Sequence, residues 1–270
     1  MLESWQYKVA KMIFNVNLNI PKSAIFQELG WEPVIAFMDR QRISYFSRLK
    51  GMPNTRLCKI VFNELNALQN GTCKYLNYMK NILISSGLDH YFESDIKLSV
   101  FNKMFGEQVR CKELEEIGKK TSLGIYTNMN VKCGKQYYLN GIGNFRSTRL
   151  KLLARTNYLP LNYTLRQLHI KDCATCPLCS NVDETLEHFL FECTAYEAIR
   201  KQVFETVSDF TTPLFDLDFT DIPYVCQMQF LIGDFGFLIN NDIGEFFDKI
   251  GKSMLIQFYK VRCELLQAVT

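Results

Sequence analysis

Histidine is scarce in this chain, three residues in 270, so any histidine placed among cysteines stands out. Long apolar runs are missing. The longest of note, IPYVCQMQFLIG at 222–233, is twelve residues and contains a proline and a glutamine, where a bilayer crossing needs about 20. No transmembrane helix or membrane partner is therefore expected. The first residues, MLESWQYKVAKM, carry charges throughout and no uninterrupted apolar stretch, which argues against a secretory signal. No phosphate-binding loop of either common glycine pattern occurs, so the glycines of NGIGN at 140–144 read as a hinge. A His-Glu-x-x-His zinc site is also missing.

Enough hydrophobic residues remain, 47% of the chain with 13% aromatic, to build a core. The ten cysteines do not suggest a disulfide framework, because the chain is long and six of them (Cys58, Cys73, Cys111, Cys133, Cys226, Cys263) are scattered singly. Most of these six read as small buried hydrophobes in a reducing compartment, nucleus or cytoplasm. The net charge of +3 conceals a segregation. Residues 1–116 are mixed, and 117–171 carry ten bases and no acid. Residues 172–250 carry 15 acids against three bases. Such asymmetry suggests an interaction surface.

Periodicity predicts a mostly α-helical fold. Trp5, Val9, Met12, Ile13 and Val16 form one stripe, and Val34, Phe37, Met38, Tyr45 and Leu49 another that starts after Pro33; both read as packing faces. AIFQELG should be a short helix ending at Gly30, and further helices are expected near 54–69, 74–84, 95–119 and 145–157. QNGT at 69–72 reads as a turn. In the last helix, Ile243, Phe246, Phe247, Ile250, Met254, Phe258, Val261 and Leu265 recur at helical period, with Asp242 and Glu245 as an N-terminal cap. A boundary near 140 divides a helical region, 1–140, from 141–270, a small zinc module with an acidic helical segment after it.

The module is CATCPLCSNVDETLEHFLFEC, 173–193, spaced Cys176-x2-Cys179-x8-His188-x4-Cys193. Three thiolates and an imidazole suit tetrahedral zinc and leave no position for a reactive water, so the expected role is structural. Cys173-x2-Cys176 is a second legal pair. It would put His188 twelve residues from its second cysteine and leave Cys179 idle, so Cys176/Cys179 is favoured. Thr194 and Glu197 suggest a capping box that places Cys193 at the start of the next helix.

The acid-free stretch holds Lys119, Lys120, Lys132, Lys135, Arg146, Arg149, Lys151, Arg155, Arg166 and Lys171, interleaved with Tyr126, Tyr137, Tyr138, Phe145, Tyr158 and Tyr163. Cations bind phosphates, and aromatic rings stack on unpaired bases. On a helix through 145–157, Lys151 and Arg155 share a face opposite Leu150 and Leu153, while Arg146 and Arg149 fall nearer the apolar side. Arg146, Arg149, Lys151, Arg155, Arg166 and Lys171 are the candidate nucleic-acid contacts. The competing reading is that the acidic segment folds onto the belt and neutralises it, leaving a zinc-braced surface for other protein chains.

LKLLARTNYLPLN followed by CPLCSNVDETLEHFLFECTAYEAIRKQVF resembles the C-terminal region of reverse transcriptases from non-LTR (LINE-type) retrotransposons. The resemblance assigns the family's zinc ligands to Cys176, Cys179, His188 and Cys193, and its upstream arginine to Arg155. Asn157 stands where that family usually has glycine, and asparagine also adopts left-handed backbone angles. QELGWEPVIAFMDRQRISYFSRLKGMPNTRL is similar to the family's thumb-and-linker segment, and FYKVRCELL to its final helix. The polymerase signature, Tyr/Phe-x-Asp-Asp holding two magnesium ions, is missing, and no endonuclease arrangement stands out after Cys193. The resemblance thus implies a non-catalytic, zinc-containing binder of RNA or DNA, a fragment or derivative of such an enzyme.

Overall fold

The computed structural model describes residues 2–67, 73–94, 97–129, 134–140, 143–180, 182–216 and 218–269, without the side chains of 268 and 269. Gly141 and Ile142 of the expected hinge, the QNGT turn, Cys133 and Lys132 lie outside the described residues. The described residues are mostly α-helical and form no strand. No described helix is long and apolar enough to cross a membrane. Two compact units emerge. One comprises Met1–Val9 and Glu32–Glu116, the other Ala10–Trp31 and Ile117–Thr270. The boundary expected near 140 falls inside the second unit.

Helices α1 (Leu2–Ile13), α3 (Val34–Gly51), α4 (Leu57–Ala67), α5 (Lys74–Ser85) and α6 (Leu98–Gly118) supply the first unit, with α2 (Lys22–Leu29) between α1 and α3 in the chain. The first unit's core gathers Ile43, Phe46 and Leu49 from α3, Phe62 from α4, Met79 and Leu83 from α5, and Phe101 and Phe105 from α6. The expected α3 stripe is corrected: Phe37 and Tyr45 face solvent and only Leu49 of the five is buried. On α1, Trp5 and Met12 are exposed, and Ala10 is the buried position. Hydrophobic content at helical spacing marked the packing faces only in part, Val16 being buried and Val9, Val34 and Met38 half-buried, because both helices carry apolar residues on more than one side. The side chain of Gln6 accepts from the Val34 N–H at 2.9 Å, satisfying a free donor at the start of α3.

In the second unit α7 (Gly124–Thr127), α8 (Phe145–Arg155), α9 (Asn162–Gln167), α10 (Glu197–Phe215), α11 (Tyr224–Leu231), α12 (Phe235–Ile239) and α13 (Asn241–Val269) follow in order. The long α13 packs on α8, α10, α11 and α12. Its N-terminal cap is Asn240, whose side chain accepts from the Ile243 N–H at 2.8 Å, rather than the expected Asp242. Ile243, Phe247, Met254 and Phe258 face the core as their spacing indicates. The Thr194/Glu197 box does not form: α10 starts after a short 3₁₀ turn with no side-chain cap.

Helix α2 belongs to this unit and is buried on nearly every side, Ser23 through Glu28 included. It ends at Gly30, whose φ of 65° and close approach to the backbone of Gly134 and Lys135 both exclude a side chain. Gln136 completes the junction: its N–H donates to the Glu28 carbonyl at 3.1 Å, and its side-chain amide to the Gln27 carbonyl at 3.2 Å.

None of the singly placed cysteines that are described is fully buried. Cys58 and Cys111 are exposed, and Cys73, Cys226 and Cys263 are half-buried, so the buried-hydrophobe reading is overturned.

Candidate metal centre and basic surface

The zinc-motif loop folds back on itself through one antiparallel bridge between Thr175 and Asp183. The Cys176 N–H donates to the Val182 carbonyl at 2.8 Å, and the Glu184 N–H to that of Ala174 at 2.8 Å. Ser180, with φ of 57°, takes the left-handed conformation that turns the chain after Cys179. Thr185 then accepts from the His188 N–H at 3.1 Å through its hydroxyl. His188–Glu192 forms a π-helical turn, and the Cys193 N–H reaches back to the His188 carbonyl at 2.8 Å. This wider turn brings the histidine ring and Cys193 to one point.

Cys176, Cys179, His188 and Cys193 thereby place their donor atoms within 4.8 Å of one another. Cys176 Sγ and Cys193 Sγ are 3.8 Å apart, and Cys179 Sγ lies 3.4 Å from His188 Nε2. Tetrahedral zinc with sulfur ligands at about 2.3 Å requires neighbouring sulfurs about 3.8 Å apart, so the spacing fits. The chemistry fits as well. Burial, with the Cys176 sulfur nearby, pushes the Cys193 thiol up to about 12, and burial raises Cys176 too. A cation that converts both to thiolates reverses that preference. Nδ1 of His188 lies 3.6 Å from the Glu192 carboxylate, which leaves Nε2 as the ligand atom. Cys173 stands outside the group: it is exposed, and its sulfur accepts from the Thr175 N–H at 3.4 Å.

Residues that spacing did not single out hold the loop in place. Buried Glu184 accepts from Arg262 of α13 at 2.6 and 2.8 Å and from the Asn162 N–H, at the start of α9, at 2.6 Å. The Asn162 side-chain amide donates to the Thr175 carbonyl at 2.8 Å. Phe189 and Tyr196 pack on Phe258 of α13, with ring centroids 5.6 and 4.7 Å away. Arg200 donates to the carbonyls of Leu190 and Cys193, answering acceptors at the end of the π-helical turn.

The basic belt divides. Lys151 and Arg155, expected to point outward, are wholly buried, and this is a correction. Arg155 Nε contacts both Glu28 carboxylate oxygens at 3.1 Å. Its other nitrogens reach the Ile232 carbonyl at 3.0 Å, Gln136 Oε1 at 3.3 Å and Asp234 at 3.4 Å. Lys151 pairs with Asp248 at 2.8 Å, and Lys252 takes the other oxygen of that carboxylate at 2.7 Å. Burial lowers the Lys151 ammonium from its ordinary value, opposed by Asp248. Burial also disfavours charge on Arg155, yet Glu28 and Asp234 hold it above its ordinary value. The cause is that the second half of α8 is enclosed on all sides, every residue from Leu150 to Arg155 being buried, so that half has no free cationic face. Arg146, placed by sequence nearer the apolar side, is exposed, and Arg149 is half-buried. Lys119, Lys120, Lys135, Arg166 and Lys171 are exposed. Of the interleaved aromatics, Tyr126, Tyr138 and Tyr158 are buried, Tyr137 and Tyr163 half-buried, and Phe145 exposed.

A family model described as zinc-binding in reverse transcriptase matches residues 126–199, a span that contains all four donors and most of the basic stretch. No curated protein and no solved structure matches the chain. The chain therefore carries a zinc-binding domain related to that of reverse transcriptases, and zinc is its cofactor.

Proposed function

We propose that this chain is a non-catalytic binder of RNA or DNA, derived from a reverse transcriptase of non-LTR type. Zinc held by Cys176, Cys179, His188 and Cys193 braces the surface. Contacts to the nucleic-acid backbone come from Arg146, Arg166 and Lys171, joined by Lys119, Lys120 and Lys135, with half-buried Arg149 at the margin. The observation that carries this reading is that these six cations stay exposed in a stretch without a single acid, which runs in sequence up to the zinc loop. Lys151 and Arg155 are withdrawn from the contact set, since their charges are already met inside the protein.

The test is a salt titration of RNA and DNA binding by the wild-type chain and by Cys179→Ser. Wild-type affinity should fall steeply with salt, as counterion release demands. Cys179→Ser should lose its zinc and bind more weakly. Equal binding by both proteins would separate the metal from recognition. The interaction-scaffold reading keeps one support, the internal pairing of Lys151 and Arg155. It requires that wild-type protein, with one zinc per chain, show no retention on nucleic acid at moderate salt.

A further inference from the structure

A cleft of about 330 Å³ opens within the second unit, where the end of α8 meets α9. Thr121 and Ser122, after α6, form one wall; Asn157 and Tyr158, at the end of α8, form another; and Tyr163 and Gln167 of α9 form the third. That volume is at the small end of ligand sites, about 300–1,000 Å³, and suits one nucleotide-sized group better than a peptide helix. Its wall combines tyrosine rings, which can stack on a base, with amides that each offer a donor and an acceptor. Among the described residues, no group of the chain hydrogen-bonds to the side chains of Asn157, Tyr163 or Gln167, so they are open to a ligand.

Two features give the cleft its charge and its rigidity. Lys119 and Lys120 directly precede Thr121, and Arg166 stands between Tyr163 and Gln167 on α9; all three are exposed and form no ion pair among the described residues. The Asn157 backbone, at φ 59°, closes α8 with N–H bonds from Asn157 to Ala154 and from Tyr158 to Leu153. On α9, Asn162 is fixed to Thr175 and Glu184 of the zinc loop, so the loop sets where Tyr163 and Gln167 stand.

We propose that this cleft receives a single unpaired nucleobase, stacked on Tyr163 and hydrogen-bonded by Asn157 and Gln167. Lys119, Lys120 and Arg166 hold the flanking phosphates. The inference rests on the nucleic-acid reading above and narrows it to single-stranded substrate.

The experiment uses a short single-stranded oligonucleotide carrying 2-aminopurine and a duplex of the same length, titrated with zinc-loaded protein. Wild-type protein should bind the single strand more tightly than the duplex and change the 2-aminopurine emission. Tyr163→Ala and Gln167→Ala should each weaken single-strand binding about tenfold, the scale of one lost stacking or edge contact, and leave duplex binding unchanged. Tyr163→Phe, which keeps the ring, should retain most of the affinity. Gln167 is exposed, so its alanine variant remains informative even where Tyr163→Ala loosens α9. If both alanine variants bind the single strand like wild type while a Lys119→Ala/Lys120→Ala/Arg166→Ala protein loses both ligands, the base pocket is overturned and backbone binding stands. If wild-type protein binds neither ligand at low salt, both readings fall.

Discussion

Arg155 shows how differently one residue can behave from its neighbourhood in sequence. It lies in the middle of a run of bases, yet Glu28, Asp234, Gln136 and the Ile232 carbonyl surround it. Removing one partner from such a buried pair leaves the other charge uncompensated, at a cost of about 3–5 kcal/mol. Arg155→Leu and Glu28→Gln are therefore expected to lower stability on that scale in urea denaturation. Nucleic-acid affinity of the folded protein should stay unchanged at a denaturant-free temperature where both remain native. A loss of affinity without a loss of stability would contradict this assignment. The pairing was not legible in advance because Glu28 and Arg155 are 127 residues apart and nothing local links them. The four zinc donors, by contrast, fall within 18 residues of one another and their identity alone selects the metal, so spacing sufficed.

At the scale of elements, helices with capping or breaking residues were readable: α5 and α6 cover the expected 74–84 and 95–119 closely, and α2 ends at its glycine. Which face each helix buries was less readable. Helix α1 exposes Trp5 and Met12, and α8 hides its two central cations, because burial is decided by partners remote in the chain. The contact between α11 and α13 depends on such a partner. The Leu231 carbonyl packs directly against Gly251, where a Cβ has no room. Gly251→Ala should force the two helices apart and destabilise the protein by about 1–3 kcal/mol, the range for overpacking a close contact, measured as a lowered urea midpoint. Gly118→Ala, where no atom lies within 4 Å of an added Cβ, is the matched control and should be neutral or slightly stabilising.

Across the whole molecule, part of the charge segregated along the sequence is paired in the interior. Residues 202–248 contain nine acids and no base, but Asp234 and Asp248 are consumed inside by Arg155 and Lys151. The buried acids neutralise only the buried bases; Lys119, Lys120, Lys135, Arg146, Arg166 and Lys171 stay exposed. Replacing Lys119, Lys120 and Arg166 together by glutamine should reduce the slope of log affinity against log salt by about two on single strands, at about 0.7 per phosphate contact. Tm should hardly move, since exposed charges outside ion pairs contribute little to stability. An unchanged slope would remove these three from the contact set.

Glu184 makes the zinc loop answerable to sequence far outside the 126–199 span that the family model covers, since its guanidinium partner is Arg262. Excising that span as a minimal peptide would orphan Glu184, strip Phe258 from the rings of Phe189 and Tyr196, and strand Arg155 without Glu28. Its four donors suffice to chelate the ion, yet such a peptide should fail to hold α9 in register. Autonomy here is a property of the helical shell, not of the finger it encloses.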